Sequence, residues 1–184
     1  MTSRIEKLVE LILSSKSPAI IAGDDIAASG GHQALTDLVE QTGASVYLEG
    51  LRSQISIANS HPNLCSWVGF ESGTIRQVLA GHDLVMLIGG PFFEEVWFDA
   101  VGAIPEGAVA IQIEQSPGRL AYNSPLALGV VGHLGETLAL LSAAIGEAAD
   151  ADFRAAAESR NRRLAEQREA RRQALDARLQ ALWD

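Results

Sequence analysis

Pro18-Ala19-Ile20-Ile21-Ala22 is an unbroken apolar run, entered through a proline and left through Gly23. A strand with one wet face alternates apolar and polar residues, whereas a run without alternation must be covered on both faces. Proline is tolerated at a strand entry. The run therefore reads as a strand of a parallel sheet layered on either side, and this sets the fold class as α/β.

The pattern extends in both directions. Upstream, Ile5, Leu8, Val9 and Ile12 recur at i, i+3, i+4 and i+7, one apolar helical stripe to lie against the sheet. Downstream, Ser29, Gly30 and Gly31 lead into a helix carrying Leu35, Leu38 and Val39, closed by Gly43, and Ser45 to Leu48 is the next strand. Residues 50 to 73 mix Gly50, Pro62, Gly69 and Gly73 with polar residues and read as a long irregular loop with a functional or interface role. A short helix around Ile75, Val78 and Leu79 precedes Asp83-Leu-Val-Met-Leu-Ile-Gly89, the strongest strand signal in the chain. Val109 to Glu114 and Leu126 to Val131 are further strands, and Leu134, Leu138, Leu141 and Ile145 mark a helix. Strands alternating with helices give a Rossmann-like, doubly wound parallel sheet with right-handed crossovers.

Composition limits the function. The 184 residues are 47% apolar, enough for one real core, and no apolar run reaches the length of a membrane span. Met1 to Glu6 lacks the apolar region of a signal peptide, so a soluble, cytoplasmic protein is expected. The single Cys65 reads as a small buried residue. Residues 1 to 149 carry a net charge of −10, which repels nucleic acid. Residues 150 to 184 hold eight arginines against seven acids, with Glu158–Arg162 and Arg172–Asp176 at pairing distance along a helix. From Asp152 onward there is neither Gly nor Pro, and a thinning stripe of Leu164, Leu175, Leu179 and Leu182 needs a partner. The domain boundary is accordingly drawn between 1–149 and a helical extension, 150–184.

Searches for chemistry mostly fail. After the first strand, Gly23-Asp24-Asp25-Ile26-Ala27-Ala28 places two carboxylates where a dinucleotide binder keeps small uncharged residues, and they would repel a phosphate. Glu49 ends the second strand where a ribose-binding acid sits in dinucleotide folds, but without the glycine fingerprint it reads as a solvated strand end. Gly89-Gly90-Pro91 lies at the carboxyl end of the strongest strand, where such sheets bind ligands. The Phe92-Phe-Glu-Glu-Val-Trp-Phe98 segment concentrates aromatic surface for core or interface, and Glu94 and Glu95 read as solvated. His32, His61, His82 and His133 show no metal-ligand spacing, and no nucleophile elbow, phosphate loop or activated cysteine is present, so no catalytic or metal-binding residue is assigned.

Seven segments in order carry a resemblance: Pro18 to Gly23, Val46-Tyr-Leu48, Ser60-His-Pro62, Leu79 to Val85, Ile88-Gly89, Ile111-Gln-Ile-Glu-Gln-Ser-Pro117 and Gly129-Val-Val-Gly132. Over about residues 1 to 148 the chain resembles the central domain of thiamine diphosphate-dependent enzymes, most like benzoylformate decarboxylase and more distantly acetolactate synthase. The resemblance implies a six-stranded parallel sheet inside a three-domain, homo-oligomeric enzyme. Flanking domains hold thiamine diphosphate and Mg2+, and the middle domain binds FAD or ADP in some members and nothing in others. Such a nucleotide would lie near Gly89, Gly90, Glu114 and Ser116. Family members have an aspartate where this chain has Ser116 and another where it has His133, which, with Asp24 and Asp25, argues against one. The resemblance implies a non-catalytic spacer between cofactor domains, with residues 150–184 leading toward a diphosphate-binding domain and the chain looking like an excised piece of a longer enzyme. The alternatives are a nucleotide-binding module and a stand-alone interaction protein dimerising through its C-terminal helix.

Overall fold

A computed structural model describes residues 3–93 and 99–183. Six parallel strands form one sheet in the order β3-β2-β1-β4-β5-β6: β1 Pro18–Ala22, β2 Ser45–Leu48, β3 Leu64–Trp67, β4 Leu84–Ile88, β5 Val109–Glu114 and β6 Leu128–Val131. The helices are α1 Arg4–Ser14, α2 Asp25–Ala28, α3 His32–Thr42, α4 Ser72–Val78, α5 Leu134–Ala148 and α6 Ala151–Gln180. The expected doubly wound class is observed, and no described helix is long and apolar enough to cross a membrane.

The two central strands explain the layering. In β1, Ile20 and Ala22 enter the core shared with α1, α3 and α5, while Ala19 and Ile21 enter a second core on the other face with Ile75 of α4, Leu79 and Phe92. In β4, Leu84, Met86 and Ile88 join the first core and Val85 and Leu87 the second. All ten residues of these strands are buried, as an unalternating run requires. Each large apolar side chain buried this way stabilises the fold by about 1.5–3 kcal/mol.

Local chemistry fixes the helix ends. Ser3 and Glu6 form a reciprocal capping box at α1, the Ser3 hydroxyl accepting from the Glu6 N–H and the Glu6 carboxylate accepting from the Ser3 N–H at 2.6 Å. Gly43 ends α3 in the left-handed region at φ 61°, and a Cβ there would stand 2.6 Å from the Ala157 carbonyl oxygen of α6. Gly43 is thus needed both to stop α3 and to admit α6.

Three expectations change. Asp25–Ala28, read as turn, forms the short helix α2. The irregular stretch from 50 to 73 contains β3, an edge strand whose Leu64-Cys65-Ser66-Trp67 mixes buried and exposed positions and so lacks a strand signature. Cys65 itself is half-buried, with its Sγ 3.4 Å from the Asn63 carbonyl oxygen, because it lies on that edge. The expected helical extension is observed as α6, Ala151–Gln180, and its first half packs on the body. Phe153, Ala157 and Leu164 are buried, Asn161 bonds the Asn63 amide at 2.7 Å and the Glu40 carbonyl at 2.7 Å, and Arg160 caps the Thr42 carbonyl at 2.8 Å. Both expected ion pairs on α6 form, Arg162–Glu158 at 3.8 Å and Arg172–Asp176 at 2.9 Å.

Two histidines lock strand entries. His82 Nδ1 donates to the Ser17 carbonyl at 3.0 Å, so its Nε2 accepts from the Tyr47 hydroxyl at 3.0 Å. Buried His61 accepts the Asn63 N–H at Nδ1. Burial holds both below the ordinary histidine value, outweighing Glu40 beside His61 and the Ser17 carbonyl and Asp83 beside His82. The unfolded chain therefore takes up protons first as pH falls below about 6.5, so the stability from the neutral imidazoles is present above that pH and is lost below it. Urea denaturation is expected to show a lower midpoint at about pH 5.5 than at about pH 7.5, with His82→Gln narrowing the difference; equal midpoints for the native chain would contradict this.

Candidate functional site

In an open α/β sheet, ligands bind where the winding reverses, here between the carboxyl ends of β1 and β4. In this chain the two strands stay together past their ends. The Gly23 N–H donates to the Ile88 carbonyl at 2.9 Å, the Asp25 N–H to the Gly89 carbonyl at 3.0 Å, and the Gly89 N–H to the Ile113 carbonyl at 3.0 Å. A Cβ on Gly23 would overlap the Gly89 carbonyl and approach the Gly90 Cα to 2.8 Å. Gly89 has φ 69°, and a Cβ there would meet Leu134 Cδ1 at 2.6 Å. The glycines let backbone pack on backbone and close the crevice.

The acids around this seam are engaged with the protein. Asp24 folds the 51–57 segment over the end of β1: its Oδ2 accepts from the Ser53 N–H and hydroxyl, both at 2.7 Å, and its Oδ1 from the Gln54 N–H at 3.1 Å. Burial raises the Asp24 carboxyl, but these hydrogen bonds and nearby Arg52 outweigh it and hold the pKa below the usual aspartate value. The Ser56 hydroxyl fastens the same segment to the Gly23 carbonyl at 2.6 Å. Asp25 pairs with Arg119 at 2.6 Å, a bridge from the exit of β1 to the turn after β5. Arg119 Nη1 is also 3.9 Å from Glu114 Oε1.

Of the residues expected near a nucleotide, Gly89 and Gly90 lie on the seam. Glu114 ends β5 fully buried, its Oε1 accepting from the Gln115 N–H at 2.9 Å and the Ser116 N–H at 3.1 Å. Ser116 is half-buried and begins the 3-10 turn Pro117–Arg119. Glu49, expected at a solvated strand end, is instead buried at 7% exposure, because the 51–57 segment folds back over the strand ends. Arg119, Ser53 and Ser56 were not foreseen; the only signal for Arg119 was a cation three residues past Ser116 in a Pro-Gly turn.

Beside Arg119, a concavity lined by Leu87, Phe92, Gln112, Tyr122 and Asn123 has a volume of about 10 Å³, room for one water. Phe92 and Phe93 are buried in the second core, while Glu94, Glu95, Trp97 and Phe98 lie outside the described residues. His133 accepts the Glu136 N–H at the start of α5, and His32 bonds the Ile55 carbonyl at 2.8 Å. Among the described residues no group of His, Cys, Asp and Glu is arranged to hold a metal ion.

A family model described as thiamine pyrophosphate enzyme, central domain, matches residues 5–141. The chain is 24% identical over 137 residues to benzoylformate decarboxylase of Pseudomonas aeruginosa, covering 74% of this chain and 26% of that protein. It is 29% identical over 131 residues to a protein of Methanococcus aeolicus described as a probable acetolactate synthase large subunit, covering 70% and 21%. The structure of a thiamine diphosphate-dependent 4-hydroxybenzoylformate decarboxylase from Rhodococcus jostii superposes with a TM-score of 0.72 at 23% identity, covering 79% of this chain and 28% of that one. That likeness shows the fold. The chain spans about a quarter of the length of these relatives.

The seam sets a measurable expectation. Gly89→Ala places a side chain at positive φ against Leu134 and is expected to cost roughly 2–4 kcal/mol in chemical denaturation. Gly146→Ala, on α5 with open space around the new Cβ, is the control and is expected to be neutral or stabilising by up to about 1 kcal/mol. Similar effects for the two substitutions would show that neither the positive φ nor the Leu134 contact demands glycine at position 89.

Proposed function

We propose a role from one premise: the chain belongs to the thiamine pyrophosphate enzyme central-domain family. The role is architectural. The chain acts as the non-catalytic middle domain of a cytoplasmic 2-oxo acid decarboxylase of the benzoylformate decarboxylase kind, or of an acetolactate synthase-like enzyme. It spaces and orients the flanking domains that hold thiamine diphosphate and Mg2+, in a homo-oligomer that binds neither nucleic acid nor membrane. The match to only about a quarter of each relative supports a role inside a longer assembly.

The observation that carries this reading is the seam between β1 and β4. General acid–base or nucleophilic chemistry needs polar groups converging on open space. Here Asp24 is held by Ser53 and Gln54, and Asp25 by Arg119, while the adjoining concavity is about 10 Å³. An FAD or ADP site at Gly89, Gly90, Glu114 and Ser116 does not fit the same geometry. The Ser116 N–H is already given to Glu114, Arg119 is already paired, and two carboxylates stand where a diphosphate would approach.

Calorimetric titration of the purified chain with thiamine diphosphate and Mg2+ is expected to show no binding, and benzoylformate or pyruvate is expected not to be decarboxylated. Thermal melts are expected to be unchanged by FAD or ADP. Turnover by the chain alone would sink the architectural role. A saturable ADP-dependent shift removed by Glu114→Gln would replace it with nucleotide binding.

A further inference from the structure

The distal part of α6 leaves the body. Every residue from 169 to 183 is exposed. Leu175, Leu179 and Leu182 follow i, i+4 and i+7 and so share one side, with exposures of 53%, 47% and 81%. Buried Leu164 falls on that side one and a half heptads earlier, as do Arg168 and Arg171, whose guanidinium groups bond the Asn59 and Cys65 carbonyls. The stripe therefore continues the docked face of α6 beyond the point where the body ends. Arg178 borders it and takes part in no ion pair among the described residues. A helix of this length with no packing is marginal in water, so cover would stabilise it.

A fitting surface exists on the body. Between α1 and α5 runs a groove of about 440 Å³ with Val9, Leu13, Ala144 and Ala148 in its lining and the exposed acids Glu10 and Glu147 beside them. Neither acid forms an ion pair among the described residues. No cation lines this groove, whereas the two hollows under the proximal half of α6 include Arg154 in one and Lys16 with Arg160 in the other.

We propose that the distal half of α6 docks into the α1/α5 groove of a second copy, with Leu175 and Leu179 over its apolar floor and Arg178 against Glu10 and Glu147. Charge selects this occupant. Residues 1 to 149 carry a net −10, while residues 168 to 178 of α6 carry four arginines against Glu169 and Asp176, a net +2, and Arg172 is paired with both of those acids. Pairing the stripe with its own counterpart would bring Arg178 and its arginine neighbours of two helices together, which like-charge repulsion disfavours. One short helix in one groove falls below the area of about 1,200 Å² typical of a stable interface, so the contact is reciprocal about a two-fold axis.

Sedimentation velocity of the full chain over about 1–200 µM tests this, with circular dichroism melts confirming that each variant is folded. A dimer is expected. Leu179→Asp, and the double variant Glu10→Arg with Glu147→Arg, should each weaken association by about tenfold or more, and adding Arg178→Glu to that double variant should restore most of it. A monomer throughout the range overturns the proposal. So does a dimer that survives the groove variants but is dissolved by Leu179→Asp, the signature of stripe-to-stripe pairing, or a charge swap that restores nothing.

Discussion

The contact of Gly23 with Gly89 governs the carboxyl edge of this sheet. A doubly wound sheet reverses its winding between two neighbouring strands, and the chains leaving them diverge and open a crevice. Here the parallel ladder continues for two more residues, through Gly23 to Ile88 and Asp25 to Gly89, before the chains separate. A Cβ on Gly23 would overlap the Gly89 carbonyl, so only glycine at 23 allows that approach. Once the seam is closed, the side chains that follow it can only turn outward or sideways. Asp24 meets the returning 51–57 segment and Asp25 meets Arg119. The place where the fold commonly holds a ligand thus becomes a structural joint.

Arginine does related work elsewhere in an acidic body. At the β6 edge, the Arg4 guanidinium donates to the Gly129 carbonyl, and at the β3 edge the Arg171 guanidinium donates to the Cys65 carbonyl. These are the terminal strands of the sheet, whose unpaired backbone groups would otherwise invite another strand. Arg76 likewise reaches the Gly102 carbonyl, and Arg160 the Thr42 carbonyl at the end of α3. Arg4 and Arg171 are spent on backbone carbonyls, and the face carrying Glu10 and Glu147 has no ion pair among the described residues.

Elements buried on both faces were legible in the sequence because burial leaves a mark on composition. Pro18–Ala22 and Leu84–Ile88 are apolar throughout and could hardly be anything else, and the stripe of α5 appears in Leu134, Leu138, Leu141 and Ile145. β3 left no such mark, since an edge strand with Leu64 inward and Trp67 half out obeys neither the continuous nor the alternating pattern. Asp24 and Asp25 were correctly located but read only as charges. Their partners Ser53 and Arg119 lie 29 and 94 residues away, a separation that local pattern cannot bridge. Glu49 was misjudged for the same reason, because its cover comes from a segment whose course depends on Asp24. Glu94, Glu95, Trp97 and Phe98 fall outside the described residues.

The last helix shows how one requirement can be met twice or not at all along a single element. Gly43 must be glycine to end α3 in a left-handed conformation, and the space it leaves is filled by Ala157 and Arg160 of α6. Arg160 then stacks on Phe153 at 5.6 Å while capping the carbonyl that α3 leaves open. The proximal half of α6 is therefore part of the body by packing, hydrogen bonding and shape together. From Glu169 to Trp183 every side chain is exposed, yet the leucine spacing persists on the same side. A solvated helix has no use for three leucines in register, and Arg172 with Glu169 and Asp176 already supplies the charged surface that keeps such a helix soluble. In the proposed dimer the stripe is covered by the α1/α5 groove of a second copy, and Arg178 beside it meets the acids of that groove.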